Sequence, residues 1–173
     1  MGSAKGAVRP IRHLGDPVLR TACDPVTEFD ADLERLVDDM FASMYAAAGV
    51  GLAANQIGVA KRVFVYDCAD DEGERHVGHV VNPALTVAGD TVVGDEGCLS
   101  LPGLHFPTPR HAHAAVEGVD VHGRPVRVSG SGEFARCLQH EAGHLDGKVY
   151  VDALSGDARR AALRALRATR SWT

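Results

Sequence analysis

Gln139–Gly147 reads QHEAGHLDG, with His140 and His144 four residues apart and Glu141 directly after the first. On an α-helix, residues at this spacing lie on one face, one turn above the other. Two imidazoles can therefore reach one metal ion, while Glu141 is turned just enough to meet a water beside it without ligating. Counting about 100° per residue puts Phe134, Leu138 and Leu145 near one direction, with Cys137, His140, Glu141 and His144 on the adjoining arc. The pattern predicts a core-facing helix from about Ser131 to Asp146, around which the remaining elements are organised.

Working outward, DADLERLVDDMFASMYAAAG places Leu33, Leu36, Val37, Met40, Phe41, Met44 and Tyr45 on one helical stripe. Asp30 is the expected N-cap and Gly49 the expected stop. KRVFVYDC, GHVVNPALTV and AAVEGVDVHGRPVRV are rich in Val and poor in helix formers, and the last reads as two strands folded at His122-Gly123. A final helix is expected over about 157–170. Strands grouped between helices give an α+β class: mainly antiparallel strands around a central metal-binding helix, flanked by an N-terminal amphipathic and a C-terminal helix.

The 173 residues suit one domain spanning 1–173, and 45% hydrophobic content gives it a sizeable core. A net charge of −5 argues against a general affinity for nucleic acid or anionic membranes, because few cationic groups are free to neutralise phosphates. No leader-like segment and no apolar run of membrane-spanning length is seen, so a cytoplasmic location is expected. Cys23, Cys68, Cys98 and Cys137 are scattered without a C-x-x-C pair, which suggests neither a zinc ribbon nor a disulfide framework.

Two histidines leave a metal short of a ligand. One familiar protease pattern needs a further His where this chain has Tyr150, and another needs a downstream Glu, of which there is none after Glu141. A third ligand must therefore lie upstream. DEGCLSLPG, Asp95–Gly103, offers Cys98, whose thiolate would suit zinc or iron(II). A buried structural thiol, a disulfide half or a nucleophile activated by histidine remain as alternatives for Cys98. GVGLAANQIG, Gly49–Gly58, adds two glycines that permit close backbone approach and the amide of Gln56, which otherwise points to solvent after a helix cap.

GVGLAANQ, EGCLS and QHEAGHLDG, in this order, resemble the three signature motifs of the peptide deformylases, and GDPVLR, FVYD and VNP extend the likeness over nearly the whole chain. The resemblance implies that Cys98, His140 and His144 hold one divalent metal, natively iron(II), with zinc, nickel or cobalt able to replace it. It implies a hydrolase that removes the N-formyl group from the formyl-methionine of newly made polypeptides and releases formate. In that chemistry a metal-bound water attacks the formyl carbonyl, with Glu141 as general base and then acid. Gln56 and the backbone N–H of Leu99 are implied to stabilise the developing oxyanion. Val50, Gly51 and Gly97 are implied to pair with an extended peptide, and Cys137 to line the methionine pocket.

Three positions depart from the family pattern. Gly143 stands where many members have Asp, at a cost of about 1 kcal/mol relative to alanine within a helix. Arg110 is thereby left without its expected partner, and His105 replaces a common Arg. The C-terminal run GDARRAALRALRATR carries Arg159, Arg160, Arg164, Arg167 and Arg170 around a Leu163/Leu166 stripe, from which a weak ribosome contact is expected by resemblance. The expected oligomeric state is a monomer. The rival reading is a catalytically silent homologue that binds formylated peptides or ribosomes, which the intact Gln56, Cys98 and Glu141 count against.

Overall fold

The computed structural model describes residues 5–169. Its three helices are α1, Ala31–Ala46; α2, Gly132–Leu145; and α3, Gly156–Ala168. Five strands, β1 Gly51–Ala53, β2 Val63–Ala69, β3 Arg75–Cys98, β4 Leu101–Val119 and β5 Pro125–Ser131, form one sheet in chain order with every neighbour antiparallel. Sheet and helices together give the expected α+β class.

β2 shows why the strands gather around α2. Alternate side chains of a strand point to opposite faces, and both faces of β2 are covered. Phe64, Tyr66 and Cys68 pack with Phe134 and Leu138 of α2, while Val63 and Val65 pack with Leu33, Leu36, Met40 and Met44 of α1. This is why VFVYDC reads as an almost unbroken apolar run rather than an alternation. Phe134, Leu138 and Leu145 are fully buried, each side chain contributing about 1.5–3 kcal/mol on removal from water. α2 is thus fixed as the axis of the molecule.

Asp30 caps α1 as expected, its carboxylate accepting from the Leu33 N–H at 3.1 Å. The stop differs: the helix ends at Ala46, and the left-handed residue is Ala48, with φ 57, not Gly49. A Cβ at Gly49 would lie 2.7 Å from Cδ1 of Leu99, so that side chain would have to shift to admit one. The turn expected at His122-Gly123 is present, with Gly123 at φ 78 and its N–H donating to the Asp120 carbonyl.

β3 and β4 run much further than their Val-rich segments suggest. The Gly/Pro-rich DEGC stretch is the end of β3, and the chain reverses tightly over Leu99-Ser100 into β4. Three register shifts, at Val81/Ala84, Ala88/Thr91 and Gly97/Cys98, keep this hairpin from reading as a regular alternation. α3 begins at Gly156 and ends at Ala168, slightly ahead of expectation; Arg170 lies outside the described residues. Its inward side is Ala162 with Leu166, packed near Leu101 and Tyr150, whereas Leu163 is exposed.

Candidate metal centre

Three segments remote in sequence converge at the inner end of a cavity of about 510 Å³. The end of β3 brings Cys98, α2 brings His140, Glu141 and His144, and the short turn of 3-10 helix Ala54–Ile57 brings Gln56. The Nε2 atoms of His140 and His144 are 3.2 Å apart, and Cys98 Sγ is 3.4 Å from His144 Nε2. The three donor atoms all lie within 4.8 Å of one another. In a tetrahedral site with bonds of about 2.0–2.1 Å to nitrogen and about 2.3 Å to sulfur, ligand atoms stand roughly 3.3–3.6 Å apart. The observed spacings fit a single ion that these three side chains would hold. A Cys-His-His set accepts several divalent ions and does not select among them.

The surroundings orient this set. His140 Nδ1 meets Glu96 Oε1 at 2.7 Å, the carboxylate–histidine arrangement that fixes a ring and leaves its other nitrogen for a metal. Glu96 also accepts from both Arg110 Nε and Nη2, at 3.0 and 2.8 Å, and from Arg136 Nη1 at 2.9 Å. Burial alone would raise the Glu96 pKa, but the bonds from His140 and Arg110 hold it down to about 2. Burial also depresses the pKa of His144 and so favours its neutral, ligating form. Nδ1 of His144 is buried without a hydrogen-bond partner.

Glu141 is 2% exposed, with Oε1 3.8 Å from His140 Nε2 and Oε2 unpartnered. Burial, helped by the nearby Glu96 charge, raises its pKa to about 7. The general base expected from sequence therefore sits with a free oxygen in a nearly dry wall.

Gln56 is 1% exposed, far from the solvent-facing alternative. Its Oε1 accepts from the Ala53 N–H at 3.0 Å, which fixes the amide and turns Nε2 toward Ser100 Oγ at 3.1 Å and Cys98 Sγ at 3.6 Å. Leu99 occupies the reversal beside Cys98 and lines the cavity with Val50, Gly51, Gly97 and Cys137. Gly51 packs closely here: a Cβ there would stand 3.0 Å from both the Cys137 sulfur and the Glu141 side chain, which would have to give way.

The three departures are resolved locally. Arg110 takes Glu96, not position 143, as its partner. A Cβ at Gly143 would meet nothing within 4 Å. His105 pairs with Gly97 across the β3–β4 hairpin and places Nδ1 3.3 Å from Asp95 Oδ2. Glu96 and Arg136 were missed by the motif reading. Glu96 carried as its signal only its place two residues before Cys98, because the register shift at Gly97/Cys98 breaks the strand alternation that would have put the two on one face. Arg136 carried none, because only the fold reveals that its guanidinium is buried against Glu96, Val92 and Thr108.

The family model for polypeptide deformylase matches residues 8–160. A protein named peptide deformylase 2 from Streptomyces avermitilis is 63% identical over 161 residues, covering 92% of this chain and 87% of its own. Its namesake from Streptomyces coelicolor is 59% identical over 170 residues, covering 98% and 94%. The crystal structure of peptide deformylase from Thermus thermophilus superposes with a TM-score of 0.85 at 44% identity, covering 93% of this chain and 94% of that one. Matched in both sequence and fold over most of its length, the chain belongs to the polypeptide deformylase family.

Proposed function

We propose that this chain removes the N-formyl group from the formyl-methionine of newly made polypeptides and releases formate. The observation that carries the reading is the meeting of Cys98, His140 and His144 donors beside the unpartnered carboxylate oxygen of Glu141 at the base of one cavity. We assign Cys98, His140 and His144 as ligands of a divalent ion, iron(II) natively, with zinc, nickel or cobalt as substitutes. Such an ion, when bound, acidifies water toward neutral pH and polarises a carbonyl oxygen.

The remaining work belongs to side chains and backbone. Glu141 takes a proton from the attacking water and later hands it to the leaving amine, a task suited to a carboxylate whose pKa lies near 7. Gln56 Nε2 and the Leu99 N–H donate to the formyl oxygen as negative charge builds there, and the Ala53 bond holds the Gln56 amide ready for this. The edge strand β1 and the exposed Val50 before it, with Gly97 opposite, offer main-chain groups to an extended peptide, while Cys137 lines the pocket for methionine.

Residues 1–173 form one catalytic domain in this reading. The protein acts as a cytoplasmic monomer without binding nucleic acid, and α3 makes a weak contact with the ribosome through Arg159, Arg160, Arg164 and Arg167. No helix among the described residues is long and apolar enough to cross a membrane. The relatives named above lend no support to a silent peptide binder. Anaerobic purification, metal analysis and formate release from a formyl-Met peptide test the proposal: metal-loaded protein should release formate, and its failure to do so would overturn the reading.

A further inference from the structure

Asn55 and Gln56 are neighbours on the 3-10 turn Ala54–Ile57, and both are buried. Successive side chains leave such a helix about 120° apart, so the two amides face different surroundings. Gln56 turns to the metal cavity. Asn55 turns to the C-terminal end of α2, where its Nδ2 donates to the His144 carbonyl at 2.7 Å and reaches toward the Val18 carbonyl at 3.5 Å. Both acceptors are carbonyls, so only the nitrogen of the amide can face them. Its Oδ1 is left buried and has no partner among the described residues, an exception of the kind that calls for a reason.

The reason lies in what the bond joins. His144 stands in the last turn of α2, where carbonyls lack donors from within the helix. Its carbonyl takes the Gly147 N–H at 3.0 Å and the Asn55 side chain. Arg62 braces the same helix end through the Leu145 carbonyl at 3.2 Å and Asp146 Oδ1 at 3.0 Å, but it shares no turn with Gln56. Asn55 ties the turn that carries Gln56 directly to the backbone of a residue that carries a metal donor. We propose that Asn55 is a positioning residue, which sets where the Gln56 amide stands relative to Cys98 and His144. Without the tie, the turn and the helix end are free to part, and Gln56 Nε2 drifts from the place where charge builds on the formyl oxygen. A misplacement of about 1 Å can cost on the order of 100-fold in rate. The loss falls on kcat, because the Gln56 bond strengthens only in the transition state.

This kinetic consequence rests on the deformylase reading; the tie does not. A double-mutant cycle tests the consequence. Asn55→Ala, checked for folding by circular dichroism, should lower kcat about tenfold or more with KM little changed. In a Gln56→Ala background the same substitution should cost no more than about twofold, since the group it positions is gone. Arg62→Ala loosens the same helix end and should cost the same in both backgrounds. Should Asn55→Ala fail to fold, Asn55→Ser runs the same cycle. A crystal structure of the nickel-loaded variant should show Gln56 Nε2 moved from its place 3.6 Å from Cys98 Sγ. Equal costs of the Asn55 substitution in the two backgrounds, or a Gln56 amide left in place, overturns the proposal. Metal-loaded wild type that releases no formate overturns the deformylase reading instead, and the crystal structure then decides the tie alone.

Discussion

His140 Nδ1 and Glu96 Oε1 stand 2.7 Å apart, joining the face of α2 that carries both histidines to a carboxylate that also holds two arginines. Glu96→Gln keeps the shape but removes the charge shared by Arg110, Arg136 and His140. Breaking a buried ion pair on one side costs about 3–5 kcal/mol, and loss of a ligand's outer partner typically weakens metal binding about 10–100-fold. A thermal melt should show a large fall in Tm, and competition with a chelator should show the weaker binding. A wild-type melt with unchanged metal affinity would remove Glu96 from this role.

The same carboxylate sets an acid limit on stability. Its folded pKa, about 2, lies below the ordinary 4.5, so the folded state is favoured above 4.5 and this advantage is lost as the pH falls through about 2. Denaturant titrations across that range should find the wild type losing stability more steeply than Glu96→Gln.

Glu141→Gln should retain the metal and lose turnover, because the amide preserves the wall but cannot accept a proton. Cys98→Ala should lose the metal, with turnover following. Metal content and formate release, measured on the same preparations, separate the two; the reverse pattern would exchange the assigned roles.

Gln56→Ala removes one preorganised donor without touching a ligand. The expected cost is about 2.7–4 kcal/mol of transition-state stabilisation, or roughly 10²–10³ in kcat. Steady-state kinetics should show the loss mainly in kcat, and a change confined to KM would reassign Gln56 to peptide binding.

Activity should rise with pH as Glu141 loses its proton. Burial places its pKa at about 7, and a divalent cation alongside favours the charged form and moves the midpoint lower. The acid limb of kcat/KM in metal-loaded enzyme is therefore expected below about 7, and a flat profile through this region would count against Glu141 as the base.

Gly143→Ala should stabilise α2 by about 1 kcal/mol, since the added methyl meets open space and the backbone is helical. A rise in Tm with unchanged formate release is the expected result; a fall would show a constraint at this position other than helix propensity.

What could be read from sequence divides along the range of the interactions. α1 and α2 were legible because 3.6-residue periodicity and caps such as Asp30 are local signals. The outer reach of the β3–β4 hairpin was not, since its register shifts and its Gly and Pro residues hide the alternation. His140, Glu141 and His144 followed from spacing on one helix, whereas Cys98 and Gln56 were drawn in by resemblance and brought alongside them only by tertiary packing. The partner of Arg110 stayed open for the same reason: Glu96 lies across a hairpin, not along a helix.

The tight reversal at Leu99-Ser100 has a kinetic meaning. Cys98 is 46 residues ahead of His144 and 42 beyond Gln56, so the three meet only after β3 and β4 have zipped and docked on α2. Contacts so distant in sequence are slow to close, and the reversal itself is locked in place, with Ser100 and Leu101 fully buried and the Ser100 carbonyl accepting from the Leu14 N–H at 2.9 Å. Capture of a metal by all three segments would therefore report that this long-range closure is complete.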